Sequence, residues 1–192
     1  MHRSSHSKME WFKNTYLDVS DNLEILDVGS FDVHENYNYS DIFDEENWNY
    51  TGLDMKKGAN VDIVVDDIYN WPEIKDETYD VVISGQLFEH LEFFWLTMTQ
   101  IERVLKPGGY VCIIAPSTGP KHGGDEPCCY KFHDDGFRAL AKYVDLEVEH
   151  ISINIDNVSR PWHDACLVAY KEDPTHPKEE EEPKSKSRFS LF

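Results

Sequence analysis

The sequence is short of positive charge: 18 lysines and arginines stand against 37 aspartates and glutamates, a net charge of -19 over 192 residues. A polyanionic backbone would meet a repulsive field, so nucleic-acid substrates are disfavoured. Long apolar runs are missing as well. No stretch approaches the roughly 18 residues that cross a bilayer, and residues 1–8 hold no apolar segment of signal-peptide type, so a soluble, cytoplasmic protein is expected. Cysteine is scarce: Cys112, Cys128, Cys129 and Cys166 form no CxxC pair, and no histidine spacing makes a zinc site, so no metal ligand is assigned. Cys112 and Cys166 sit in apolar runs and read as small buried hydrophobes. Cys128 and Cys129 are neighbours, between which a disulfide is strained.

Against these absences stands enough apolar material, 40% of residues with 13% aromatic, for one packed domain. Residues 7–17 carry Met9, Trp11, Phe12, Tyr16 and Leu17 at helical spacing, an amphipathic helix expected to cover a cleft and to occupy, with its flanks, residues 1–20. Short apolar runs bounded by turn residues predict strands over 23–28, 49–54, 61–65, 79–84, 110–115, 146–155 and 165–170. Helices are predicted over 91–105, ended by Lys106, Pro107, Gly108 and Gly109, and over 134–143. The segment 30–49 is rich in Asn, Asp and Tyr and reads as loop with one irregular helix. Strand alternating with helix implies an α/β domain over 21–171, with a mostly parallel sheet covered on both faces. Residues 172–192, with a Glu179 to Glu182 run, read as a solvated charged tail. Residues 171–192 carry 6 acids and 5 bases, so the acidity belongs to the domain.

In an open parallel sheet, ligands bind beyond the carboxyl ends of the strands. That places Asp27, Gly29 and Ser30 after the first strand, where glycine allows a tight turn and Asp27 can anchor an ammonium group. Asp54 ends the second strand, at the place where a carboxylate accepts both hydroxyl hydrogens of a ribose. Asp66, Asp67 and Ile68 follow the third, offering a carboxylate and an amide to an adenine edge. One such Asp is more often a turn or cap residue; the ordered triplet is the signal. A dinucleotide enzyme would want GxGxxG, whereas Gly29 is followed by Ser30, Phe31, Asp32, Val33 and His34. An adenosine without phosphates fits better.

Here the chain resembles the class I S-adenosylmethionine-dependent methyltransferases over nearly all of residues 23–170. ILDVGS at 25–30 is similar to their first motif, YTGLDM at 50–55 to the ribose-binding strand and VDDIYNWP at 65–72 to the adenine loop. YDVVISGQLFEHL at 79–91 and IERVLKPGGYVCIIAP at 101–116 carry the resemblance further. It implies a Rossmann-like three-layer sandwich whose seven-stranded, mostly parallel sheet ends in an antiparallel strand. It also implies that Asp27, Gly29 and Ser30 hold the methionine end, Asp54 and Met55 the ribose, Asp67 and Ile68 the adenine, with Gly85 and Gln86 beside the methyl donor. The family's first motif has glycine where Phe31 and Val33 stand here. SGQLFEH, EFFW and PSTGPKH are similar to a subgroup associated with glycan and polysaccharide assembly, in viruses or bacteria, sometimes fused to glycosyltransferases. The acceptor implied is a sugar hydroxyl, for example of rhamnose. Residues 123–131 depart from that subgroup's pattern, and the acceptor pocket is expected to differ accordingly.

A sulfonium methyl is already electrophilic, so the protein mainly aligns the reactants and excludes water. A sugar hydroxyl is a poor nucleophile and gains from a base; His122, with Asp125 three positions on, is the first candidate, His90 the second, and His133 a third. Each of these histidines has an ordinary alternative, a hydrogen bond to its own loop. A divalent ion held by acidic loops is open, although no spacing compels it. Trp48, Trp71, Trp95, Tyr37 and Tyr39 are candidates for stacking, while Phe93, Phe94 and Trp95 at helical spacing fit core or interface better. Rival readings are methylation of another small molecule and a cofactor-binding domain that docks a partner through its aromatic end at Phe192.

Overall fold

The computed structural model describes residues 3–32, 38–122, 124, 127–153 and 161–175. Tyr37, Asp125, residues 176–192 and the expected end of the sixth strand, 154–155, lie outside the described residues. The elements are α1 (Arg3–Tyr16), β1 (Leu23–Val28), β2 (Trp48–Asp54), β3 (Ile63–Val64), β4 (Tyr79–Gly85), α2 (Phe94–Val104), β5 (Leu105–Pro116), α3 (Asp134–Tyr143), β6 (Glu147–Ile153) and β7 (Asp164–Tyr170). A 3-10 turn, Phe88–His90, follows β4.

The strands form one seven-stranded sheet in the order β3-β2-β1-β4-β5-β7-β6. β1 pairs in parallel with β2 and β4, β2 with β3, and β4 with β5, while β7 runs antiparallel to β5 and to β6. The expected Rossmann-like three-layer architecture with its antiparallel last strand is the observed one.

Side chains alternate between the two faces of the sheet, and each face has its own core. Leu26, Val28, Val82, Ile113, Ala115, Leu167 and Ala169 pack with Met98, Ile101, Phe137 and Leu140, which places α2 and α3 on this face. Ile25, Val81, Ile83, Cys112, Ile114, Cys166 and Val168 pack with Met9, Phe12, Tyr39, Ile42 and Phe43, which places α1 and the segment after residue 38 on the other. Cys112 and Cys166 are free, buried, and 3.9 Å apart at their sulfurs, members of a core as their sequence context indicated.

Boundaries moved where tertiary packing overrode local signals. Leu91 closes the 3-10 turn, so α2 starts at Phe94 rather than at residue 91. The Lys106 to Gly109 stretch lies within β5, where the pairing with β4 shifts register between Tyr79 and Val81 and Gly108 takes φ +85. The third strand shrinks to two residues. Segment 38–47 forms turns whose Tyr39, Ile42 and Phe43 are buried.

The loop from Val65 to Ile74 is held against α2 by Arg103, which donates to the carbonyls of Ile74 (2.8 Å) and Trp71 (3.0 Å) and to Asp76 Oδ1 (2.7 Å). Trp71 is wholly buried, and its indole donates to the Ile68 carbonyl at 2.9 Å. Trp48 and Trp71 are thus core residues, not stacking platforms. Trp71→Ala should cost about 3–5 kcal/mol in urea unfolding, the range for a large aromatic removed from a core; a loss under about 1 kcal/mol would show that the loop collapses onto the void.

Candidate functional site

The exits of β1 and β2 are stitched together by backbone. Gly29 adopts φ +83, and its amide and that of Ser30 donate to the Leu53 carbonyl at 2.8 and 3.1 Å. A side chain there would need a left-handed residue and would press on Leu87, 2.9 Å from the position of a Cβ. Ser30 itself is buried, and its hydroxyl has no partner among the described residues.

Asp27 faces the α1 side of the sheet with 2% exposure. Its Oδ2 accepts the Tyr50 hydroxyl at 2.5 Å, and that hydroxyl accepts the Asn60 amide at 3.0 Å, which donates also to the Ser30 carbonyl at 3.1 Å. Its Oδ1 is buried without a donor. Burial pushes the Asp27 carboxyl up to about 7; the Tyr50 hydrogen bond opposes this and the charge of Asp54 adds to it.

Asp54, at the end of β2, is half-buried; its Oδ2 accepts the Phe31 amide at 3.3 Å and its Oδ1 the Lys56 amide at 2.8 Å. Each oxygen keeps a lone pair for a further donor. Met55 beyond it is exposed. Asp67 is exposed and its Oδ1 accepts the Tyr69 amide at 2.9 Å, the turn-cap role that sequence context also allowed; Ile68 is buried beside it.

At the exit of β4, Gly85 lies so close to Tyr39 that a Cβ would stand 1.9 Å from the phenol oxygen, which in turn bonds the Ser5 hydroxyl at 2.6 Å. Gln86 takes φ +61, an uncommon conformation for a side-chain-bearing residue that a surrounding structure must hold in place. Its amide nitrogen donates to Asp164 Oδ1 at 3.2 Å, while its Oε1 is buried without a partner. Asp164, fully buried at the start of β7, also accepts the Ser4 hydroxyl at 2.5 Å. The first turn of α1 therefore reaches the carboxyl ends of the strands. Tyr39, a stacking candidate in the sequence, is instead buried and bonded to Ser5, while Tyr50, Asn60 and Asp164 went unassigned, since nothing but their own residue types marked them.

Three polar atoms, Asp27 Oδ1, Ser30 Oγ and Gln86 Oε1, are thus buried and unsatisfied at neighbouring strand exits. Such groups are costly unless something donates to them. An amino-acid ammonium and nucleoside hydroxyls are donors of that kind, so these residues fit S-adenosylmethionine.

A second cluster flanks the first. Glu89 and His90 belong to the 3-10 turn after β4, and His122 to the loop after β5. Glu89 is fully buried, and among the described residues neither carboxylate oxygen accepts a hydrogen bond from another residue. His90 Nε2 stands 3.6 Å and His122 Nε2 3.7 Å from its Oε1, and the two imidazoles meet edge to face at 5.0 Å. Burial pushes Glu89 up to about 8, with its own backbone amide and Lys131 opposing. The Trp162 ring lies 4.5 Å from His122, and the Lys131 ammonium sits over the Trp162 ring at 5.4 Å from its centroid. Both favoured histidines meet here, whereas His133 is exposed at the start of α3. Glu89 was missed as a site residue; an acid between Phe88 and His90 in an apolar stretch was its one signal.

Residues 26–113 match the model of a methyltransferase domain, from within β1 to within β5. No curated protein matches the sequence. Among solved structures, a Bacillus halodurans protein described as a methyltransferase is similar at 14% identity and TM-score 0.65, over 88% of this chain and 100% of that one. A 1,6-didemethyltoxoflavin-N1-methyltransferase from Burkholderia thailandensis, solved with S-adenosylhomocysteine bound, is similar at 13% identity and TM-score 0.65, over 89% and 78%. The cyclase SpnF is similar at 14% identity and TM-score 0.68, over 87% and 80%. Identities this low speak to the fold. No helix among the described residues is long and apolar enough to cross a membrane.

Asp27 provides a test of the electrostatics. The fold holds its carboxyl at about 7 against an ordinary value of 3.8, so it favours the protonated form. The stability this contributes is complete below about pH 4 and is lost as pH rises toward 7. Asp27→Asn has no such dependence. In urea unfolding, the variant should gain on the natural protein between pH 4 and 7, by on the order of 1 to a few kcal/mol; a constant difference across that range contradicts the raised value.

Proposed function

We propose that this S-adenosylmethionine-dependent methyltransferase methylates a hydroxyl of a sugar, such as a deoxyhexose within a glycan. The observation that carries the reading is the meeting of Glu89, His90 and His122 beside the strand exits that fit the cofactor. Imidazoles next to a carboxyl suit the removal of a hydroxyl proton. The Trp162 ring against His122 offers an apolar wall on which the C–H face of a sugar can lie. The net charge of -19 argues against phosphate-rich acceptors.

When bound, S-adenosylmethionine supplies an electrophilic methyl group, and the C–S electron pair stays with sulfur as the new C–O bond forms. Asp54 accepts ribose hydroxyls, and Asp27 with Gln86 receives the ammonium and neighbouring donors at their unsatisfied oxygens. Asp67 and the Ile68 amide border the adenine, with Met55 beside the ribose and Gly29, Ser30 and Gly85 keeping the backbone close. The acceptor hydroxyl enters from the Glu89 side, and its proton leaves to that cluster, with His122 its first receiver and His90 the second. α1, whose Ser4 and Ser5 reach Asp164 and Tyr39, borders the cofactor cleft and limits water access. The sugar reading also leaves room for a glycosyltransferase as partner.

Two measurements test this. Asp54→Asn should weaken S-adenosylhomocysteine binding in calorimetry by about tenfold or more, the worth of hydrogen bonds to a charged acceptor; unchanged affinity removes Asp54 from the site. Incubation with labelled methyl donor and a panel of deoxysugar glycans should label at least one, and His122→Ala should cut that turnover by about a hundredfold with S-adenosylhomocysteine affinity intact. A protein that binds the cofactor and labels no sugar overturns the acceptor.

A further inference from the structure

We propose that Glu89, His90 and His122 form a binding site for one divalent transition-metal ion of the zinc class. The three residues each offer one ligand atom, and these atoms all lie within 4.8 Å of one another. Tetrahedral zinc with bonds of about 2.0–2.1 Å keeps its ligands about 3.4 Å apart. The Glu89 oxygen is 3.6 and 3.7 Å from the two imidazole nitrogens, so those two pairs need to close by a few tenths of an ångström, and the two imidazoles, whose ligand atoms lie within 4.8 Å, approach each other as the ion draws them in.

Two further features point to an ion rather than to a chance grouping. Glu89 has 0% exposure, and both its oxygens lack a partner among the described residues, a costly state that a cation relieves. His90 has its other ring nitrogen, Nδ1, 2.6 Å from the Pro127 carbonyl. A carbonyl only accepts, so Nδ1 carries the proton and Nε2 presents its lone pair, the arrangement in which histidine ligates metals. His122 Nδ1 lies 3.4 Å from the Pro120 carbonyl and 3.5 Å from the Cys128 sulfur, and its Nε2 stands 3.7 Å from Glu89 Oε1. The carbonyl of Glu89 meanwhile accepts the amides of Cys129 and Tyr130 at 2.7 and 3.2 Å, which ties the loop after β5 to the turn after β4.

Two imidazoles and one carboxylate select a transition ion over magnesium or calcium, which favour all-oxygen sets. Three protein ligands leave a position open, as in catalytic rather than structural zinc sites. The ion's use rests on the acceptor reading above: an oxygen of the sugar takes the open position and its hydroxyl becomes more acidic, so that with the ion bound the hydroxyl proton leaves to solvent, the two imidazoles being engaged as ligands and receiving it only in the ion-free site. The binding of the ion does not depend on that reading.

The test uses the full, untagged chain, stripped with chelator, without methyl donor or acceptor. Cobalt(II) is titrated and followed by its visible absorption, and zinc by competition with a chromophoric chelator and by metal analysis. One equivalent per chain is expected, with the intense absorption of a four-coordinate cobalt site. Glu89→Gln and His122→Ala should each weaken uptake by more than about tenfold, whereas His133→Ala should leave it unchanged. Glu89→Gln preserves shape, and His122 lies on a loop, so His122→Ala carries the comparison if the buried substitution fails to fold. No stoichiometric uptake by the natural chain, or uptake equal in His122→Ala, overturns the site. Metal binding by a protein that methylates no sugar upholds the ion and sinks the acceptor reading; sugar methylation by a chain that takes up no ion does the reverse.

Discussion

The parallel pairing of β1 with β2 and β4, and of β4 with β5, brings their carboxyl ends out along one border of the sheet. Parallel strands need crossover connections, and those connections must be covered on both faces by helix or packed loop. The two cores that result, one under α2 and α3 and one under α1, hold the strands rigid up to their last residues. Asp27, Asp54 and the Gly85–Glu89 segment, well separated in the chain, are brought to that border by it.

Rigidity at the border comes with polar groups that the fold itself does not satisfy. Most buried polar atoms in a protein find a partner, because leaving one without costs on the order of 1–3 kcal/mol. Here the unsatisfied side-chain atoms among the described residues are those of Asp27, Ser30, Gln86 and Glu89: Asp27 is the penultimate residue of β1, Ser30 follows β1, and Gln86 and Glu89 follow β4. The left-handed Gln86 belongs to the same pattern. A fold that keeps such groups in one place is preorganised for something that donates to them or ligates with them. They divide into two sets: Asp27, Ser30 and Gln86 at the exits of β1 and β4, and Glu89 with the imidazoles of His90 and His122 beside them.

The loops complete the division of labour. Arg103 and Trp71 fix the segment that carries Asp67 and Ile68 against α2, so the backbone there is held in place. On the other side the Glu89 carbonyl holds the chain at Cys129 and Tyr130, while Trp162 from the approach to β7 closes on His122. Cys128 and Lys131, from the chain that follows β5, stand beside this second cluster at His122 and Trp162.

What could be read from the sequence was local and repetitive. Apolar runs of strand length, helices ended by charged and glycine-rich turns, and acids placed just after strands follow from periodicity and turn chemistry, which are written in neighbouring residues. They sufficed for the architecture, for the antiparallel last strand through resemblance, and for Asp27, Asp54 and the His90–His122 pair as candidates. The tertiary structure decided the rest, because it depends on contacts between distant segments. That Glu89 is buried without a partner, that Asp164 anchors Gln86 and Ser4, and that Tyr50 takes up one oxygen of Asp27 are consequences of strand order and of loops crossing at one border. Burial and partner are properties of a packed interior, and no pattern along the chain encodes which polar group the packing will leave over.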